Sequence, residues 1–268
     1  MADIKRHSGI QKLQDMPQGN PEDVKMLGLF MDVGAMMIRN GSEVKRVEDT
    51  LRRMGAAYGA ERMDVFAITS TLVCTMNMPG GTVCSMTRGT RDGTKTDFWK
   101  LERINALSRE YCREPFDIDE LKARIEEIEH AAAPGLRVCV GSVLAAGTLA
   151  VFFGGSILDG VVAAVFAVGI WLMQVYFTPI CTNNILFNFL CSFVTGVLIG
   201  LAGRVFPIHE DKVMIGDIML LIPGLALTNA VKDMFVGDTI TGSLRLVESV
   251  LWAAGIACGF ALAVLICR

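Results

Sequence analysis

Residues 215–248 read IGDIMLLIPGLALTNAVKDMFVGDTITGSLRLVE, and this stretch holds the side chains best suited to chemistry. Asp217, Asn229, Asp233, Asp238 and Glu248 punctuate a run that is otherwise largely apolar, and Pro223 and Gly224 stand inside it. A proline within a helix removes a backbone donor and clashes with the preceding turn, so the hydrogen-bond ladder loosens there. At membrane depth, freed amides and carbonyls persist only where they are buried in protein or line a wet cavity. Broken membrane helices of this kind build transporter binding sites, because half-helix ends can replace the water around a solute. Ionisable groups within a span are costly and point to an ion or substrate path. Asn229 offers a donor and an acceptor to a polar solute. Glu248 leads as a candidate proton or cation site because it begins an apolar run, with Asp217 next and Asp233 and Asp238 behind them. Blander readings stand beside these. Pro223-Gly224 is also readable as a plain kink, Lys232, Asp233 and Asp238 as interfacial and solvated, and Glu248 as a first-turn acid favoured by the helix dipole. Asn183 and Asn184 read as a loop and helix cap.

Other chemistries lack their residues. The sequence has no glycine-rich phosphate loop, no GxSxG turn and no HExxH, so an enzyme is not expected. Its eight cysteines form no CxxC pair and read as free, small apolar thiols. His7, His130 and His209 are scattered, so neither a metal nor a cofactor is expected. A net charge of -3 without a basic stripe argues against nucleic-acid binding.

The elements that must position these residues are set by an asymmetry that the mean hydropathy of +0.45 conceals. Of the 53 Lys, Arg, Asp and Glu residues, only 12 lie beyond Arg137. That half is too poor in charge to be soluble. Five apolar runs, 136–153, 160–177, 185–203, 213–231 and 247–267, approach the ~20 residues that a span requires. The fold class expected is therefore a membrane protein, with a soluble α+β domain followed by an all-α bundle of about five transmembrane helices. Small residues such as Gly147, Gly196, Gly200, Gly255 and Gly259 suit close helix packing in lipid.

The domain boundaries follow. Residues 1–20 are expected to be a disordered leader, 21–133 a cytosolic α+β domain and 134–268 the transmembrane domain. Pro21 suits the first turn of a helix with Leu27, Phe30, Met31, Gly34, Met37 and Ile38 on one stripe. Gly41 ends it and Ser42 can cap the next, where Val44, Val47, Leu51, Met54 and Tyr58 form the apolar face. Lys45/Asp49, Glu48/Arg52 and Asp49/Arg53 are spaced as i,i+4 pairs on the opposite face. Strands are expected at 63–69, 71–78 and 82–87, with a turn at Pro79-Gly80-Gly81 and another at Asp92-Gly93. Asp97 and Asp117 can cap two further helices.

The segments GSEVKRVEDTLRRMGAAYG, at 41–59, and IGDIMLLIPGLALTNAVKDMFVGDTITGSLRLVESVL, at 215–251, resemble the threonine/serine exporter family. The resemblance covers roughly residues 22–267. Gly41, Glu43, Arg46, Val47 and Glu48 carry one end of it, and Pro223, Gly224, Asn229, Asp233, Gly237, Asp238, Gly242 and Glu248 the other. It implies a secondary exporter of small polar metabolites, either hydroxy-amino acids or dicarboxylates, since a split pair of this type is also linked to succinate export. Full-length members carry a second small membrane module behind the first, and this chain does not. The resemblance thus implies the larger subunit of a split exporter, completed by a separate small membrane subunit. Arg46 beside Glu43 and Glu48 reads as a surface or structural pair, with a substrate contact as the alternative.

The expected partners are that subunit, a small-molecule substrate and the lipid bilayer, and a homo-oligomer is compatible with them. The polar N-terminus carries no secretory signal, so the expected location is the bacterial inner membrane with the first domain in the cytosol. Acidic residues within spans suit coupling to the proton gradient. A membrane-anchored regulatory or scaffold protein, and a membrane enzyme using the first domain, are the competing classes.

Overall fold

The computed structural model describes residues 20–90, 97–131, 135–177, 181 and 183–267. Most of the expected leader, the Asp92-Gly93 turn, Pro134, Pro179 and Arg268 lie outside the described residues. The chain divides into two compact units, Met1–Ala131 with Val236–Thr241, and Ala132–Phe235 with Gly242–Arg268.

In the first unit, α1 (Pro21–Arg39) starts where Asn20 accepts from the Glu22 N–H at 3.4 Å, with Pro21 in the first turn. Gly41, at φ 90°, turns the chain out of the helix. Ser42 does not cap α2 (Val44–Tyr58) as its type suggested. Glu43 occupies the cap position without a side-chain cap bond, and the buried Ser42 hydroxyl donates to the Glu43 carbonyl at 3.4 Å. The turn at Gly41 places Ser42 one residue too early to reach the first helical amides. Asp49 pairs with Arg53 at 2.6 Å rather than with Lys45.

Strands β1 (Arg62–Ile68), β2 (Thr71–Asn77) and β3 (Val83–Gly89) form an antiparallel meander in the order β1-β2-β3. Their bounds differ from expectation by a residue or two. Met63, Val65 and Ala67 of β1 and Leu72, Cys74 and Met76 of β2 alternate into the core, as the two-residue period of a strand requires. Leu27, Phe30, Met31, Val44, Val47 and Leu51 are all buried with them. Burial of each such side chain is worth about 1.5–3 kcal/mol. Gly34 is needed at the contact, because a Cβ there would lie 2.7 Å from Leu72 Cδ2 and 2.8 Å from Leu51 Cδ1. Helices α3 (Phe98–Arg113) and α4 (Ile118–His130) complete the unit. Asp97 caps the Lys100 amide at 3.0 Å and Asp117 the Glu120 amide at 2.8 Å. Tyr111 of α3 is fully buried edge-on to Phe30, at a centroid distance of 5.5 Å.

The second unit is helical: α5 (Gly135–Phe152), α6 (Ile157–Phe177), α7 (Asn184–Gly203), α8 (Glu210–Leu221), α9 (Gly224–Val236) and α10 (Thr239–Cys267). Helices α5, α6, α7 and α10 are each long and apolar enough to cross a membrane, and α8 with α9 would make a fifth crossing, bent by 54°. This is a multi-pass membrane protein. The run expected at 213–231 is thus two helices, because Pro223 cannot donate the bond that would join them. The last helix begins at Thr239, not near 247. Glu248 therefore lies well inside α10 and not in its first turn. The residues 239–246 are polar enough to depress local hydropathy, but none of them stops a helix.

Small residues set the packing. A Cβ on Gly255 would lie 3.1 Å from Ile185 O, one on Gly196 2.7 Å from Ala263 Cβ, and one on Gly200 2.8 Å from Cys267 Cβ. Contacts advance in the same sense along both helices, so α7 and α10 are parallel. Arg204 fixes their common end by donating to Cys267 O at 2.8 Å. The chain leaves α7 at that end and must re-enter α10 at the other. The α8–α9 pair carries it back.

Candidate functional site

The break is built by few atoms. The Ile222 amide donates to Ile218 O at 3.0 Å and ends α8. Pro223 has no N–H, and its carbonyl accepts from Leu227 at 3.0 Å, opening α9. Thr228 Oγ1 donates to Gly224 O at 2.9 Å inside the first turn of α9. A break of this kind leaves end carbonyls of one helix and end amides of the next without helical partners.

Beyond the break, α9 and α10 approach closely. A Cβ on Gly242 would lie 2.6 Å from Met234 Cγ and 2.7 Å from Ala230 O. That proximity brings Arg245 Nη1 to Asp233 Oδ2 at 3.0 Å, with both side chains more than nine-tenths buried. Asn229, half-buried, precedes Asp233 by one turn on the same face of α9. Glu248, also half-buried, follows Arg245 by three residues on α10. Thr241, Arg245 and Ser249 are all buried at a spacing of four, giving α10 a polar inward stripe. The structure therefore pairs Asp233 with Arg245, with Asn229 one turn before Asp233 on α9 and Glu248 three residues after Arg245 on α10. Sequence reasoning missed Arg245 as a partner. Its one signal was a lone arginine within an apolar helix.

Asp217 lies on the other half-helix and is fully buried. Among the described residues neither of its carboxylate oxygens has a hydrogen-bond partner. Its neighbour Gly216 is pressed against α5, where a Cβ would lie 2.6 Å from Ala146 O and 2.9 Å from Ala150 Cβ. Asp238 lies in the link between α9 and α10.

A second carboxylate shows the opposite condition. Asp159, equally buried, accepts from Ser156 N at 2.6 Å, Ser156 Oγ at 2.8 Å, His209 N at 2.8 Å and His209 Nδ1 at 2.9 Å. It ties the start of α6 to the residue that opens α8. Asn183 caps α7 by accepting from Ile185 N at 2.9 Å and Leu186 N at 3.3 Å, as its type suggested.

The residues singled out at 41–48 are placed in the first unit. Glu48 Oε1 accepts from the Ala67 amide at 3.3 Å, and Glu48 Oε2 accepts from Arg52 Nη2 at 3.1 Å. Arg52 also donates to Val65 O at 3.3 Å. These bonds cover the open edge of β1, whose backbone groups would otherwise be unpaired. Arg46 is exposed, and Glu43 stands at the cap position of α2. Among the described residues no three His, Cys, Asp or Glu converge as a metal site. Burial pushes the Cys74 thiol up to about 12, so it remains neutral and unreactive.

A family profile described as "Putative threonine/serine exporter" matches residues 29–267. The chain belongs to the threonine/serine exporter family. It is 22% identical over 250 residues to the "Threonine/serine exporter" of Corynebacterium glutamicum, a match covering 89% of this chain and 50% of that protein. The chain thus spans half the length of that family member. It is 24% identical over 224 residues to "Probable succinate transporter subunit YjjP" of Escherichia coli strain K12, covering 81% of this chain and 85% of that protein. The protein of the same name from Klebsiella aerogenes is 23% identical, with 81% and 84% covered. No solved structure matches.

Proposed function

We propose that the chain is the larger component of a proton-coupled exporter of small polar metabolites of the threonine/serine type. The α8–α9 pair is one broken crossing, and the solute site forms around Pro223 and Gly224. Asn229 serves as a polar contact, and Asp217, Asp233, Asp238 and Glu248 are the acids from which coupling draws. The observation that carries this reading is the 54° break between two helices that together lead from one end of the bundle to the other. Unpaired backbone at such a break is tolerable in a membrane where it meets protein, water or a solute.

The exporter is completed by a separate small membrane subunit. One fact supports this: the Escherichia coli relative, matched over 85% of its length, is called a subunit. The membrane is the bacterial cytoplasmic membrane and the first unit is cytosolic, which suits the basic flank of Lys122 and Arg124 before α5 and Arg137 in its first turn. Dicarboxylate export is the second reading, favoured by the match over 85% of the protein named for succinate transport.

Counterflow in proteoliposomes tests both. Vesicles loaded with unlabelled threonine, serine or succinate, and holding this chain with and without a candidate small subunit, are offered the labelled solute. Saturable exchange of threonine or serine that requires both proteins is the expected result. Exchange of succinate alone selects the second reading. Full activity of this chain alone removes the subunit. Absence of any exchange with both proteins present removes the exporter reading in favour of a regulatory or scaffold protein.

A further inference from the structure

Asp217 differs from every other acid of the helical unit whose contacts are described. Asp159 has four donors, and Asp233 has Arg245. Asp217 is as deeply buried and has nothing on either oxygen. An isolated carboxylate in an apolar interior is too costly to persist as an anion, so it must be neutralised. A metal cation would need several oxygen ligands around it. Among the described residues no three His, Cys, Asp or Glu side chains converge there to supply them. A proton needs only the carboxyl itself.

The surroundings supply no charge that would do the same work. Helix α8 packs against α5, α6 and α7. From α7 the Cys191 thiol is close enough to interact with the carboxylate. On α5 the ionisable groups are Arg137 and Cys139, in its first turns, far along the helix from the Ala146–Ala150 contact made by Gly216. On α6 they are Asp159, engaged by Ser156 and His209, and Tyr176 at the far end. On α8 itself Glu210, Asp211 and Lys212 lie in the first turn, more than a turn away.

Position gives the carboxyl a way out. Asp217 stands on α8 a little over one turn before its last residue, Leu221, and the ladder is interrupted immediately after. A change in the bend at Pro223 that shifts this half-helix against its neighbours would change what surrounds the carboxyl. We infer that Asp217 is the group that carries the coupling proton, held as a neutral acid in this conformation and released when the α8–α9 bend changes. This rests on the exporter reading above, and it singles out Asp217 among the four candidate acids.

The test uses the full chain in lipid, with the small subunit where flux is measured. Infrared spectra at neutral pH should show a protonated carboxylic acid band, sensitive to deuterium, that is lost in Asp217→Asn and kept in Asp233→Asn. In vesicles, Asp217→Asn should keep solute counterflow within about twofold of wild type and lose accumulation driven by a pH gradient. Asp217→Glu, which retains a carboxyl, should recover part of that accumulation and guards against a folding defect in the first variant. Absence of the band in wild type, or its survival in Asp217→Asn, overturns the inference. Unchanged gradient-driven accumulation in Asp217→Asn overturns it too. Loss of accumulation and counterflow together in Asp217→Asn, with the protein inserted normally, makes Asp217 part of the solute path and overturns the coupling role. If wild type shows no flux of any solute, the exporter reading fails and takes the coupling role with it, and the infrared band then reports separately whether the buried acid holds a proton.

Discussion

Asp233 and Arg245 neutralise each other inside the helical unit, and that pairing governs what either variant does. Removing one member takes from the other buried charge its ion-pair partner, which costs roughly 3–5 kcal/mol. Asp233→Asn and Arg245→Gln should each lower the thermal midpoint of the detergent-solubilised protein, and Asp233→Arg with Arg245→Asp should recover most of the loss. An unchanged midpoint in the single variants would mean that water reaches the pair. Glu48 is a structural residue of a different kind. Glu48→Ala strands the Ala67 amide and one face of Arg52, a loss of about 1–3 kcal/mol. Faster amide exchange confined to β1 is the expected sign, with Glu48→Gln closer to wild type because it keeps an acceptor.

The thiol of Cys74 and the phenol of Tyr111 are both pushed up to about 12, in each case chiefly by burial. The unfolded chain then gives up these protons at lower pH than the folded one does. Their contribution is fully present below the ordinary values of 9.0 and 10.0 and is lost as pH rises through about 12. Stability of the first unit should fall over that alkaline window in a denaturant titration. A flat profile would show that both side chains are open to solvent.

Among the elements, α8 and α9 are held apart by one missing donor. Pro223→Ala restores an N–H and removes the ring clash, so the two helices gain a route to a continuous span. The expected result is equal or higher thermal stability together with loss of counterflow. Normal flux in that variant would separate the break from transport. Gly242 tests the facing hairpin, where a side chain meets Met234 and the Ala230 carbonyl. Gly242→Leu should spread α9 from α10 and weaken the Asp233–Arg245 contact, read as a lower thermal midpoint that adds little to the effect of Arg245→Gln.

For the whole molecule, the parallel contact of α7 with α10 supports reading α8–α9 as one crossing, for four or five in all. With α8–α9 as a fifth crossing the number is odd, so tags at the two ends should report opposite sides of the membrane when protected and permeabilised vesicles are compared. Tags on one side would make α8–α9 a hairpin that returns to its starting face and would contradict the parallel packing of α7 and α10.

Local chemistry made much of this protein legible without coordinates. The fall in charge beyond Arg137 separated the apolar helices from the α+β part, because lipid tolerates few ions. Alternation of two in Met63, Val65 and Ala67, and of three and four in Val44, Val47, Leu51 and Met54, marked strand and helix, since side-chain direction follows backbone geometry. Pro223 announced the break because a missing donor is a property of one residue. Partnership was not legible. Asp217, Asp233 and Glu248 are alike as letters, and each condition depends on what distant segments bring near. Asp233 met Arg245 only because Gly242 let α9 and α10 close, Glu48 found β1 through a sheet edge no local pattern reveals, and Asp217 was left unpartnered only because α5, α6 and α7 seal it from water.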